Sequence, residues 1–372
     1  MKNNALKNCD KRKLFAYAGM LIVFIMVMIF VHNDYFLYSH TIAKVTDVKQ
    51  ETVRETQTEL KFTETQYKQR ITAVIKNGEY KNETVTLINN YSSSQVTDEK
   101  YKKGDSLFVT VTTKDGVLKV SCDGFKRDGY FVLTIMLFLY AIFFVGRKQG
   151  LLSVASVLFN IVVFVIATKL YMKGTDIFLL CCCASVLFAV VSLSLVTGRT
   201  KKTLCAVISA LCGTAVTIII AVIVLKLTKG SGVRFDQIEY LVTPNYESIF
   251  ISELLIGGLG AIMDISITMS ASMSELIEKD NNITFHALRK SGTEIGKDIM
   301  GTMVNVLFFT YVCGCVPLIV LALRNNASFN DIMQNYISLE IVRSFVGSIG
   351  IVLTISISIF VSSHLLKRGE GK

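Results

Sequence analysis

Apolar positions along the chain follow two rhythms. From Tyr67 to Lys76, and again from Tyr80 to Asn89, apolar and polar residues alternate, the period of a strand with one buried face. Elsewhere the apolar residues run in blocks of about twenty, the length that a helix needs to cross hydrocarbon. Eight blocks read as spans: 14–31, 130–145, 150–168, 177–196, 204–227, 249–272, 302–323 and 341–366. They predict a polytopic α-helical membrane protein with 1–13 ahead of an anchoring first span, a seven-span domain over 130–366, and 367–372 behind it. Only 32–129, between the first and second spans, is long enough to fold outside the bilayer.

Within 32–129 the two alternating runs are separated by Asn77-Gly78-Glu79, a hairpin signal because Asn and Gly tolerate positive φ. Gly104-Asp105 precedes an apolar run over 106–113, and Lys114-Asp115-Gly116 turns into 117–122. With 41–49 in front, about five strands result, which predicts a small all-β domain resembling an OB barrel. Its 15 basic and 14 acidic residues leave it near neutral. Barrels of this kind often bind oligonucleotides or sugars, yet no interleaving of basic and aromatic residues marks a stacking groove here. The expectation is a solvated module that docks on the membrane part or on an envelope partner.

Composition agrees with the block pattern. The 372 residues are 51% hydrophobic and 18% charged, against roughly 25% charged in a soluble domain. A formal charge of +10 would suggest nucleic acid in a soluble chain. Here the bases cluster at the ends of alternate spans: Lys2 to Lys13, Arg147 and Lys148, Arg199 to Lys202, Lys279 to Lys297, and Lys367 to Lys372. Lys and Arg of short loops stay cytoplasmic, so both termini are expected inside, with the bilayer as the main partner and no nucleic acid. The first span is followed by no small-x-small cleavage site and is expected to remain as an anchor.

Cysteine adds little. Cys122 is alone in the outer segment and has no internal disulfide partner there, and the Cys181 to Cys183 run lies in a span, where free Cys packs as a small hydrophobe. Cys313-Gly-Cys315 has the softness for Cu(I) but no His or Met at ligand spacing, so neither metal nor cofactor is called for. No HExxH, GxSxG or GxxxxGK[ST] motif occurs, and no enzyme is indicated.

Polarity inside the bilayer is concentrated in two places. In the string ISELLIGGLGAIMDISITMSASMSEL, Glu253, Gly257, Gly260 and Asp264 share one helical face, and Gly257 with Ala261 forms a small-xxx-small pair suited to close helix approach. An Asp near mid-span costs about 2.5 to 3.5 kcal/mol on insertion scales, so it is expected to face the bundle interior or a wet cavity. In HALRKSGTEIGKDIMGTMVNVLFF, Ser291, Glu294, Asp298, Thr302 and Asn305 make a second stripe, with Gly292, Gly296 and Gly301 as packing candidates. Asp264, Asp298, Thr302 and Asn305 would supply oxygen ligands or a proton relay. Residues 284–298 read either as the start of the seventh span's stripe or as a surface linker helix.

The pairing of IGGLGAIMDISITMSASMSEL with SGTEIGKDIMGTMVN resembles the YibE/F family of bacterial integral membrane proteins, most closely over 251–312. The resemblance implies a multi-span plasma-membrane protein and assigns no catalytic or ligand residue. Two functions are left open: a transporter or permease whose polar heart lies between spans six and seven, with the outer domain gating or recruiting; or a membrane scaffold or regulator whose outer domain binds an envelope partner. Either accommodates a second copy or a second membrane subunit.

Overall fold

The computed structural model describes residues 18–57, 63–95, 98–114, 117–228 and 246–367. The expected cytoplasmic N-terminus, the first four positions of the first span and the tail at 368–372 lie outside the described residues. Two compact units divide at Arg147.

The first unit begins with an apolar helix, α1 (Ala18–His32), and continues into five antiparallel strands: β1 (Thr41–Gln57), β2 (Thr63–Ile75), β3 (Thr84–Ser92), β4 (Ser106–Lys114) and β5 (Val117–Phe125). The sheet order is β3-β2-β1-β4-β5, and β3 and β5 also approach each other. Alternation decides the buried face. Ala43 and Val45, Ile71, Ala73 and Ile75, Val85 and Leu87, and Leu107 and Val109 all turn into one core with Tyr101.

Two strand boundaries differ from the sequence pattern, for identifiable reasons. β1 stays paired with β2 beyond the core, Glu51 opposite Lys68 and Thr52 opposite Tyr67, and β3 continues on the other side of β2, Tyr91 opposite Tyr67. Glu51 to Arg54 are exposed there, so backbone bonding continues where hydrophobic alternation has stopped. β3 starts at Thr84 because the turn after β2 is longer than a two-residue hairpin, with Gly78 at φ 82° and Asn82 at φ 71°. Asn77 does more than turn the chain. Its buried side chain accepts from Ile42 N at 2.6 Å and donates to Tyr38 O and His40 O at 3.0 and 2.8 Å, so it fixes the entry to β1.

Where the chain leaves β5, Lys126 is buried, with its side chain 5% exposed. Its Nζ lies 2.6 Å from Asp34 Oδ1 and 2.7 Å from Asp128 Oδ2, and donates to Val31 O at 2.9 Å. Tyr38 donates its hydroxyl to Asp128 at 2.7 Å, and the Tyr35 and Tyr38 rings lie 5.7 and 5.1 Å from the ammonium. One cation thus gathers the end of α1, the turn behind it, and the residues that open α2 (Asp128–Tyr171).

α2 is helical throughout except at Arg147, where φ 46° and ψ −122° break it. The break falls between the blocks read as 130–145 and 150–168. The second unit holds the remainder of α2, then α3 (Ile177–Thr197) with a π turn over Phe188–Ser192, α4 (Lys201–Thr228), α5 (Tyr246–Lys279), α6 (Phe285–Arg324) and α7 (Phe329–Lys367) with a π turn over Met333–Ile337. Six described helices, α2 to α7, are long and apolar enough to cross a membrane. The chain is a polytopic membrane protein with a small antiparallel sheet ahead of its helices.

α7 packs against α4, α5 and α6, and α3 lies on α5. Small residues let α4 and α7 close: a Cβ at Gly213 would stand 2.1 Å from Thr354 Oγ1, and one at Gly350 2.6 Å from Thr217 Oγ1. Cys205, Ser209, Gly213 and Thr217 therefore line one seam at four-residue steps, opposite Gly350, Thr354, Ser358 and Ser362. Residues 285–298 are the first turns of α6, capped by Thr284, whose Oγ1 accepts from Ala287 N at 3.2 Å. The stripe and the span are one continuous helix.

Burial opposes the charge on Lys126, but Asp128 and Asp34 outweigh it and hold its pKa above the ordinary lysine value. Lys126→Met leaves two carboxylates without their cation, and removing one partner of a buried pair costs about 3 to 5 kcal/mol. Amide exchange in β4 and β5 of the full chain is expected to accelerate accordingly; unchanged protection refutes the clasp. Because the folded pKa is raised, its stabilisation is complete below the unfolded value of about 10.4 and is lost as pH rises beyond it.

Candidate functional site

α5 and α6 run antiparallel with a fixed register. A Cβ at Gly257 would lie 2.1 Å from Tyr311 Oη; one at Gly296 would lie 3.8 Å from Met269 Cε, and one at Gly292 2.7 Å from Met273 Sδ. That register brings Asp264 level with the turn that begins at Gly301. The two stripes therefore share a height, and both are open: Gly260 and Asp264 on α5, and Asp298, Gly301, Thr302 and Asn305 on α6, are exposed.

Asp264 points outward for a reason visible in its neighbours. Ile262, Ile265, Ser266 and Met269 take the buried side of α5, and four core positions at helical spacing leave 264 on the opposite face. Among the described residues neither Asp264 nor Asp298 has an ion-pair or side-chain hydrogen-bond partner. Thr302 donates to Ile299 O at 2.9 Å and Asn305 to Gly301 O at 3.0 Å. These polar side chains satisfy themselves on their own helix. They form an exposed polar face rather than a closed ligand shell.

The glycines divide into two groups. Gly257, Gly292 and Gly296 sit where helices touch, Gly296 with Ile355 Cγ2 2.4 Å from a notional Cβ. Gly260 and Gly301 have nothing within 4 Å, and Ala261 packs at the margin of the large apolar cluster that joins α4 to α7.

Glu253 leads to residues that the stripe pattern did not contain. The Arg343 guanidinium bonds Glu253 across helices and Glu340 on its own helix, and the Phe250 ring lies 5.7 Å from its Cζ. Beside them is a cavity of about 470 Å³ whose lining includes Cys181, Ser252, Gly257 and Tyr311. Arg343 stands near the start of the block read as 341–366. The signal that distinguishes it is Glu340-x-x-Arg343, an opposite-charge pair one turn apart at the head of an otherwise apolar segment.

Two family models match the chain. One described as YibE/F-like protein covers residues 134–368, and one described as the YibE/F family N-terminal domain covers 36–125. No curated protein and no solved structure matches.

A methyl at Gly296 must displace Ile355, and overpacking of this kind costs about 1 to 3 kcal/mol. Gly296→Ala is expected to lower the thermal midpoint of the detergent-solubilised chain, and Gly301→Ala to leave it unchanged. Equal midpoints would show that the two glycines do not differ in packing.

Proposed function

The chain belongs to the YibE/F family, and on that premise we propose that it is a transporter of the permease kind, with its polar pathway along the exposed stripes of α5 and α6. The observation that carries the reading is Asp264. It is an exposed carboxylate well inside an apolar helix, level with Gly301 and Thr302, and a charge held at that depth requires a wet or protein-lined surface. Glu253, Asp298, Thr302 and Asn305 would extend the pathway along the same two helices. The Arg343 cluster and its cavity adjoin the end at Glu253.

In this reading the protein sits in a bacterial plasma membrane with eight spans and both termini in the cytoplasm. The break at Arg147, which divides Asp128–Tyr171 into two lengths, and the helix Ala18–His32 support the count of eight. The β unit is extracytoplasmic and OB-like. The order β3-β2-β1-β4-β5, with β3 and β5 approaching each other, supports a partly open five-stranded barrel. The exposed stripes also suit contact with a second copy or a second membrane subunit.

The test is flux in proteoliposomes with an entrapped pH dye and an imposed potential. Asp264→Asn is expected to abolish flux while membrane insertion and the unfolding midpoint stay as in the parent chain; undiminished flux through the variant would sink the proposal. A scaffold or regulatory role, in which the β unit binds an envelope partner, is favoured by the compactness of the first unit. It predicts instead that cysteines placed at 264 and 305 resist water-soluble maleimides.

A further inference from the structure

Arg343 lies in the early turns of α7 with its side chain 14% exposed, and Glu340 beside it is 17% exposed, while Glu253 on α5 is 42% exposed. Two carboxylates around one guanidinium leave one net negative charge in a site largely withdrawn from water. The other ionisable side chains near it among the described residues are Tyr311 and Cys315 on α6 and Cys181 on α3. None of these is a cation, so among the described residues nothing nearby cancels the excess. A second observation stands apart from charge. Among the described residues Arg343 Nε is fully buried and has no hydrogen-bond acceptor, so the cluster keeps an unmet donor beside a cavity of about 470 Å³ that Glu253 and Arg343 both line.

We propose that Glu253, Glu340 and Arg343 form a one-proton binding site, with the proton carried on Glu340. Glu340 is the more deeply buried carboxyl, and desolvation disfavours the charged form most where burial is greatest. Glu253, the more exposed carboxylate, keeps its charge opposite Arg343, so the loaded cluster is neutral. Loading is a plain acid–base step. A hydronium gives its proton to a Glu340 carboxylate oxygen, an O–H bond forms there, and water is left behind. Unloading returns the proton to water by the same route.

A proton suits this site better than a metal cation carrying the same charge. A neutral carboxyl does not repel the guanidinium, whereas a metal ion seated between the same oxygens would sit against Arg343. Among the described residues no group of three or more His, Cys, Asp or Glu side chains could hold a metal. The site is independent of whether the chain moves any solute, because proton binding can be read at equilibrium.

The experiment is infrared difference spectroscopy on the full chain in liposomes, stepped in pH. A protonated-carboxyl band is expected that persists above the ordinary Glu value of about 4.3 and bleaches as pH rises further. Glu340→Gln removes that band. Glu253→Gln keeps it but moves its midpoint to lower pH, because Arg343 then neutralises Glu340 alone. Glu294→Gln, at an exposed position on α6, leaves it in place. Adding Na+ at fixed pH leaves the band unchanged. Absence of any such band in the parent chain overturns the proposal, as does a band that survives Glu340→Gln or is displaced by Na+. If Glu340→Gln does not fold, the parent band, its indifference to Na+ and its shift in Glu253→Gln still decide the matter.

Discussion

Hydrocarbon offers no hydrogen-bond partner, so each polar group carried into it must be satisfied by the protein or by enclosed water. The arrangement of the helical unit follows from that constraint. Hydroxyls bond back to the carbonyl four residues earlier, as Thr217 does to Gly213, Ser252 to Ser248 and Thr354 to Gly350. Arg343 is tolerated because two carboxylates meet it. The exceptions are the buried hydroxyls of Ser209, Thr214, Ser266, Ser358 and Ser363 on α4, α5 and α7, which have no partner among the described residues. Ser209 and Ser358 belong to the seam where α4 and α7 close on each other, and close approach is gained there while hydrogen bonds go unmade.

The first unit answers the same constraint differently. Its sheet lies in the part of the chain that is rich in charge, so backbone groups can pair across strands and side chains can alternate between core and solvent. Its most costly group is Lys126, buried where the sheet gives way to helix and held by two carboxylates, a carbonyl and two aromatic faces. Lys126 and Arg343 solve the same problem in two settings. Each is a buried cation with two acids, and each joins segments that are distant in sequence.

The spans, the strands and the Gly292 and Gly296 contacts were legible because each rests on periodicity or on local residue size. The extension of β1 beyond the β core was not, since backbone pairing without burial leaves no hydrophobic pattern at Glu51 to Arg54. The stripe of Asp264 was legible as a face, but which way that face turned was not. Orientation depends on how four neighbouring apolar positions pack against other helices, and a single helix does not record that. Lys126 and the distant partner of Arg343 were unreadable for a related reason: in sequence a buried cation looks the same as a solvated one, and only a carboxylate that the fold brings in from another segment, Asp34 or Glu253, reveals the difference.

At 40 residues and 1.5 Å per residue, α6 extends about 60 Å, roughly twice the thickness of a hydrocarbon layer. Half of it must stand clear of the membrane. The projecting half is well anchored: Leu288 is buried with Met273, Ile277 and Leu366, Arg289 lies over the rings of Phe285 and Phe360, and Lys367 donates to Ile283 O. The tails of α5 and α7 and the head of α6 thus pack into one stem, continuous with the remainder of the three helices. A push or twist applied to that stem would arrive at the Asp264 level through unbroken helix, without a loop to absorb it.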